Sequence, residues 1–290
     1  MLETAWKHLL ASTWETAWHT PSYGAHGDSG PGDEPSPWIK AIASHSRHAA
    51  VIAEAAHWMK NKNAKAYAYL SDIDNDGHEE LILKNDVLFA VVSPRYGGRL
   101  VYLFDVGGTQ GRMVIGNPSD DWNWQEELNK YMETPANHPG ALSDIGHEDD
   151  RHKATVTESN GDKAEAFLVN KRAKSSAYGL RKIFRLFRAK NELEVTYELP
   201  QTLTNLSIEC GLSPDYLHLL RFGQSSLTEY RTSDSRGYSN NGALVWVRLA
   251  DPARTSFDVY SNPRRFGHGY AIRIRALNSP FTIYLGAKQK

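Results

Sequence analysis

At 290 residues the chain is long enough for one large domain or two moderate ones, and its formal net charge of −1 leaves no basic excess to hold a phosphate backbone, which excludes nucleic acid as a main partner. The single cysteine, Cys210, excludes an intramolecular disulfide. No apolar run reaches the roughly 20 residues of a bilayer span, and the first residues lack the basic start and apolar core of a signal peptide, so a soluble, cytoplasmic protein with no membrane partner is expected.

The first element is a helix. Leu2, Ala5, Trp6, Leu9, Leu10, Thr13 and Ala17 recur at helical spacing, and Pro21 ends the run. Residues 21–37 hold four Gly and four Pro and read as loop. A second helix is expected from about Pro37 and Trp38, with Ile42, Ala49, Ile52, Ala56 and Met59 on one face and a stop at Asn61 to Asn63. Two helices cannot bury both apolar faces alone, so they must pack on the β part of the chain or on a partner. Met1 opens directly on a helical pattern, as the end of a helical domain cut from a larger protein would. The helices also carry a polar set, Glu15, His19, His45 and His48. It could ligate zinc, although such groups more often are solvated or satisfy helix ends. Trp14, Glu15, Trp18 and His19 together would suit a sugar subsite, with rings for stacking and polar groups for hydroxyls; the alternative is packing.

An acidic loop comes next, at Asp72-Ile-Asp-Asn-Asp-Gly-His-Glu-Glu. Asp72, Asp74 and Asp76 alternate, Gly77 permits a tight curl, and Glu80 falls where Leu81-Ile-Leu starts a strand. Hard oxygen ligands at this spacing suit Ca²⁺, with His78 beside them. The helix-loop-helix calcium hand is excluded, because its twelfth position would be Leu83, which cannot ligate. The alternative is a polar turn capped by aspartates.

From Leu81 the chain reads as strand. Leu88 to Val92 is apolar on both sides, as in a strand buried between two layers, and Gly97-Gly98 makes the turn into Leu100, Tyr102 and Phe104. An irregular span, residues 107–152, carries Trp122, Trp124, Tyr131, His138, His147, Glu148, Asp149, Asp150 and His152. Such a loop either binds a ligand, with Trp122, Trp124 and Tyr131 as further sugar-stacking candidates, or crosses over the sheet as packing. Strands are then expected at 164–170, 180–188, 193–199, 203–211, 244–249, 257–260, 270–275 and 281–285. With no helical pattern between them they should pair antiparallel in two packed sheets, a large β-supersandwich at residues 63–290 behind a helical segment at 1–62.

The run from Asp72 to Asn85, followed by Ser93-Pro-Arg-Tyr-Gly-Gly-Arg-Leu-Val-Tyr-Leu, resembles the start of the C-terminal β-domain of glycoside hydrolase family fifty-seven enzymes, α-amylases and 4-α-glucanotransferases acting on α-glucans. Leu9-Leu-Ala-Ser-Thr-Trp-Glu-Thr-Ala-Trp-His is similar to the end of that family's helical segment, and its sandwich resembles the galactose-mutarotase type. The resemblance implies a mainly β protein whose catalytic barrel, with its nucleophile and acid, has no counterpart here. No catalytic residue carries over. The chain would be a non-catalytic portion of a carbohydrate-active enzyme that supports a missing barrel and can bind α-glucan. Two other classes stay open. A mutarotase-like epimerase or lyase would pair a His with a carboxylate, drawn from His138, His147, Glu148, His152, Glu209 and His218, and hydrolysis would need two carboxylates among Asp144, Glu148, Asp149 and Asp150. A protein–protein docking module would leave an apolar face of the helices open to solvent.

Overall fold

A computed structural model describes residues 1–16, 44–116, 140–212, 228–240, 242–259 and 270–289. Among the described residues two helices, α1 (Leu2–Thr16) and α2 (Ser44–Asn61), precede seventeen strands. α2 stops at the expected asparagine; the stretch at 37–43, where it was expected to begin, lies outside the described residues. Among the described residues no helix is long and apolar enough to cross a membrane.

The first sheet contains β1 (Tyr67–Ser71), β2 (Glu80–Lys84), β3 (Leu88–Ser93), β4 (Arg99–Asp105) and β5 (Arg112–Ile115) in simple sequential order. Every residue of β3 is buried, because both faces of this sheet are covered. On one face Ile82, Phe89, Val91, Tyr102 and Phe104 meet Val51, Ile52, Ala55 and Trp58 of α2. The other face carries Leu81, Leu83, Leu88, Ala90, Val92 and Leu103 into the main core. That is the continuous apolar run expected of a strand between layers.

The largest sheet has eight strands in the order β12 (Thr228–Arg231), β13 (Ser235–Asn240), β14 (Ala243–Leu249), β17 (Phe281–Gln289), β10 (Glu192–Glu198), β9 (Arg181–Phe187), β8 (Lys163–Asn170) and β7 (His152–Glu158). A four-stranded sheet orders β15 (Thr255–Val259), β16 (Tyr270–Ala276), β11 (Leu206–Leu212) and β6 (Ser143–Asp144). All strand pairs are antiparallel. The small sheet adjoins the first through a bridge between Leu100 and Ala141. Side chains of all three sheets share one core. Among the described residues the expected two sheets are therefore three, because the layer opposite the large sheet is built from two pieces.

The large sheet shows its alternation plainly. In β10 Leu193, Val195 and Tyr197 point inward while Glu192, Glu194, Thr196 and Glu198 line the outer face. There Arg185 binds Glu165 (2.6 Å) and Glu194 (2.8 Å), and Arg248 binds Glu192. These cross-strand pairs satisfy the polar face without adding much stability, since half-exposed ion pairs contribute ~0–1 kcal/mol each. Sequence patterning misses β1, β5, β6, β7, β12 and β13. All are short or carry few branched apolar residues, and the two-residue β6 has no periodicity to detect.

Candidate functional site

The acidic loop lies between β1 and β2. Asn75 (φ +58°) and Gly77 (φ +85°) adopt left-handed backbone, which folds the chain back on itself. The aspartates hold this curl. Asp72 accepts the N–H groups of Asp76 and Gly77, each at 3.0 Å, Asp74 accepts that of Asp76 at 3.1 Å, and Asp76 accepts that of His78 at 2.8 Å. Glu80, 6% exposed, reaches back from the first position of β2 to the Ile73 N–H.

Ligand oxygens of Asp72, Asp74 and Glu80 lie within 4.8 Å of one another. Oxygens coordinating Ca²⁺ at 2.3–2.6 Å stand up to about 5 Å apart across the ion, so this spacing fits. The electrostatics agree. Burial, then the neighbouring Asp76, pushes Asp74 up to about 6; burial, then Asp74, pushes Glu80 up to about 8. Carboxylates crowded this way favour either protons or a cation. Asp76 sits beside the three, with one oxygen 3.7 Å from Arg95 Nη1, and His78 is exposed at the rim.

Arg95 belongs to the turn between β3 and β4, which joins the acidic loop to a second polar cluster. In that turn Gly97 (φ +67°) donates its N–H to Asp150 O (2.9 Å), and a Cβ at Gly97 would come within 3.0 Å of Glu148 O. The carbonyls of Gly97 and Gly98 point inward to Lys182. Its fully buried ammonium binds Gly97 O (2.7 Å), Leu142 O (2.9 Å) and Asp144 Oδ2 (2.8 Å), with Gly98 O at 3.3 Å. Burial works against charge on both Lys182 and Asp144, and each opposes that effect in the other. Tyr197 completes the pair through Asp144 Oδ1 at 3.3 Å. This group has an internal, structural placement, and it uses up one of the four carboxylates considered for hydrolysis.

The acid–base candidates separate. His152 is buried, donates Nδ1–H to Asp150 O (3.0 Å) and is held neutral, its pKa pushed down to about 3 by burial and then by Lys182. Glu209 pairs with Arg273 (3.1 Å) in the small sheet. His147 and Asp150 do come together, at 3.4 Å, but Asp150 already accepts from Asn170 Nδ2 (2.6 Å), Arg172 Nη1 (3.3 Å) and the Ser175 hydroxyl. His138 and His218 lie outside the described residues, as do Trp18, His19, Trp122, Trp124 and Tyr131 and the side chains of Trp14, Glu15 and His45. His48, the remaining member of the zinc set, is buried against Tyr102 and bonds its hydroxyl.

A feature that sequence patterning singles out only in general terms is the outer face of α1. Ala5 faces the core, while Leu2 (62%), Trp6 (62%), Leu9 (40%) and Leu10 (61%) stay exposed. Spacings of four, three and one place them along a single stripe.

No protein family matches the chain, and no curated protein matches it. Among solved structures, the chain is similar to a TPR-domain containing protein from Parabacteroides distasonis (12% identity, 72% of this chain and 47% of that one, TM-score 0.44). It is also similar to the 4-alpha-glucanotransferase from Thermococcus litoralis (12%, 99% and 46%, TM-score 0.42). A third similar structure is a galactose mutarotase-like protein from Clostridium acetobutylicum (10%, 79% and 100%, TM-score 0.48). The chain spans about half the length of the first two. With TM-scores below 0.5, these likenesses assign no activity to the chain.

Proposed function

We propose that this chain is a supporting module of a carbohydrate-active enzyme, with no glycosidic chemistry of its own, which docks a catalytic domain against α1 and holds Ca²⁺ in the loop between β1 and β2. The observation that carries the docking role is the exposed stripe of Leu2, Trp6 and Leu10 on a helix whose other side is seated in the protein. Large apolar residues side by side on one open helix face are what an interface leaves when its partner is absent. The glucan link rests on the sequence resemblance of the acidic loop and the Ser93–Leu103 turn and strand. Asp72, Asp74 and Glu80 would hold the ion, which supplies positive charge that lets the three carboxylates stay ionised and fixes the entry to β2.

Two measurements test this reading. A dye that fluoresces on apolar surfaces should bind the wild-type chain and lose most of its signal with the Trp6→Ser, Leu10→Ser double variant, while unfolding is unchanged. Incubation with maltoheptaose should give neither shorter nor longer oligosaccharides. Unchanged dye binding in the variant removes the docking face, and turnover of maltoheptaose removes the supporting role.

A further inference from the structure

Beyond the acidic loop and α1, the ends of two loops meet on the surface beside the β3–β4 turn. The loop between β6 and β7 brings His147 and Asp150; the loop between β8 and β9 brings Ser175 and Ser176. Both loops are held by backbone. Gly97 N bonds Asp150 O (2.9 Å), Lys171 N bonds Arg151 O (2.8 Å), Gly179 N bonds Asn170 O (3.0 Å), and Thr202 Oγ1 donates to Ser176 O (2.8 Å).

The proton positions are set by chemistry. The buried Asp150 collects donors from Asn170, Arg172 and Ser175, so it acts as a carboxylate acceptor. The Ser175 hydroxyl proton therefore points at Asp150, and Ser175 Oγ accepts from His147 Nδ1–H at 3.1 Å. With the proton on Nδ1, the lone pair of His147 is on Nε2, which stands 3.5 Å from Ser176 Oγ. Asp150 Oδ2 is 3.4 Å from Nδ1, where it favours the imidazolium that forms if Nε2 takes a proton.

We infer that Ser176 is a nucleophile activated by His147, with Asp150 and Ser175 as positioning residues, and that its substrates are carboxylic esters. An oriented base within reach of a hydroxyl is the arrangement that nucleophilic serine chemistry needs, and the contact is commonly loose before substrate binds. Ser176 Oγ attacks the ester carbonyl carbon as its proton passes to His147 Nε2. The C–O bond to the alkoxy group breaks, and the alcohol leaves with that proton. Water then attacks the acyl-Ser176 carbonyl, giving a proton to Nε2, and Ser176 departs by taking it back. The balance is ester plus water to acid plus alcohol. Ser176 is exposed, so the site is open to substrate. Ile145 (37% exposed) and Tyr178 (50% exposed) stand on the same two loops and offer apolar surface to an acyl group. This inference is independent of the glucan reading, and an ester assay and the maltoheptaose assay separate the two.

The test is covalent labelling with an aryl phosphonofluoridate, followed by intact mass and peptide mapping, beside hydrolysis of p-nitrophenyl acetate. The wild-type chain should gain one phosphonyl group on Ser176. Ser176→Ala should gain none, and its fold should persist because the side chain is exposed. His147→Gln should label at least tenfold more slowly and lose the pH dependence of the wild-type rate, which a merely structural His147 would not control. An unlabelled wild-type protein, a label on another residue, or equal labelling of His147→Gln at every pH overturns the assignment.

Discussion

In chelator, Glu80 should make the protein less stable as pH rises, and Ca²⁺ should reverse this. Glu80 has a folded pKa of about 8 against the ordinary 4.5. A carboxyl raised in this way keeps its proton in the folded state over a window where the unfolded chain has lost it. Its contribution is fully present below pH ~4.5 and is lost as pH rises through ~8. The shift corresponds to at most ~5 kcal/mol at about 1.4 kcal/mol per unit. Two effects reduce that. The site retains solvent, which screens the repulsion, and Asp74 shares the same repulsion, so its rise to about 6 cannot be added in full. A loss of ~2 kcal/mol between pH 5 and pH 8 is the expected size.

Urea unfolding at both pH values, in EDTA and in Ca²⁺, measures this. Glu80→Gln removes the charge and should flatten the fall in EDTA by that ~2 kcal/mol. Ca²⁺ at about a hundred times its Kd should add ~2.7 kcal/mol to the wild-type protein at pH 8, and much less at pH 5, where Glu80 is protonated. His152 acts in the opposite direction below pH ~6.5, so the quantity to read is the difference between wild type and Glu80→Gln. If that difference is the same at pH 5 and pH 8, or if Ca²⁺ stabilises both proteins equally, Asp72, Asp74 and Glu80 do not form a cation site.

Other contacts carry expectations of their own. His152, with a folded pKa of about 3, is charged in the unfolded chain below pH ~6.5 but neutral when folded, so stability should fall by ~2 kcal/mol from pH 6.5 to pH 5; His152→Leu should show a correspondingly shallower slope in urea titrations. Asp144→Asn leaves the buried Lys182 ammonium without its counter-charge and should cost ~3–5 kcal/mol by chemical unfolding, whereas Asp144→Asn with Lys182→Met should cost less than the sum of the single changes. Gly97→Ala forces a side chain into left-handed backbone against Glu148 O and should destabilise by ~1–3 kcal/mol in the same assay. Burial pushes the Cys210 thiol up to about 12, so it should react with a disulfide reagent only after denaturation.

Elements with strong local periodicity were legible in the sequence. α1, β3 and β10 emerge with nearly their observed limits, because a 3.6-residue stripe, a continuous apolar run and a strict alternation each demand one kind of burial. The acidic loop was legible for a different reason: alternate aspartates beside Gly77 specify their own turn, through side chains that accept backbone N–H groups two to five residues on. The split of one layer into two sheets was not legible. It depends on the Leu100–Ala141 bridge between residues far apart in the chain, and on β6, whose two residues pair with Ile208 and Glu209.

The polar cluster shows the same limit at the level of a site. His147 stood out in the sequence as an acid–base candidate and Asp150 as one of four carboxylates considered for hydrolysis, but Ser175 and Ser176 carry no motif that singles them out. Their meeting depends on the backbone bonds between the two loops and the β3–β4 turn, and these depend on Gly97 adopting left-handed backbone above Lys182. That places the Gly-Gly turn between the proposed cation loop and the proposed serine site. It carries Arg95 toward Asp76 on one side and fixes the loop bearing His147 on the other. A change there should therefore move both sites together: Gly97→Ala should slow phosphonyl labelling of Ser176 and weaken Ca²⁺ binding in one variant. If it alters one readout and spares the other, the turn is a local support and the two sites are structurally independent.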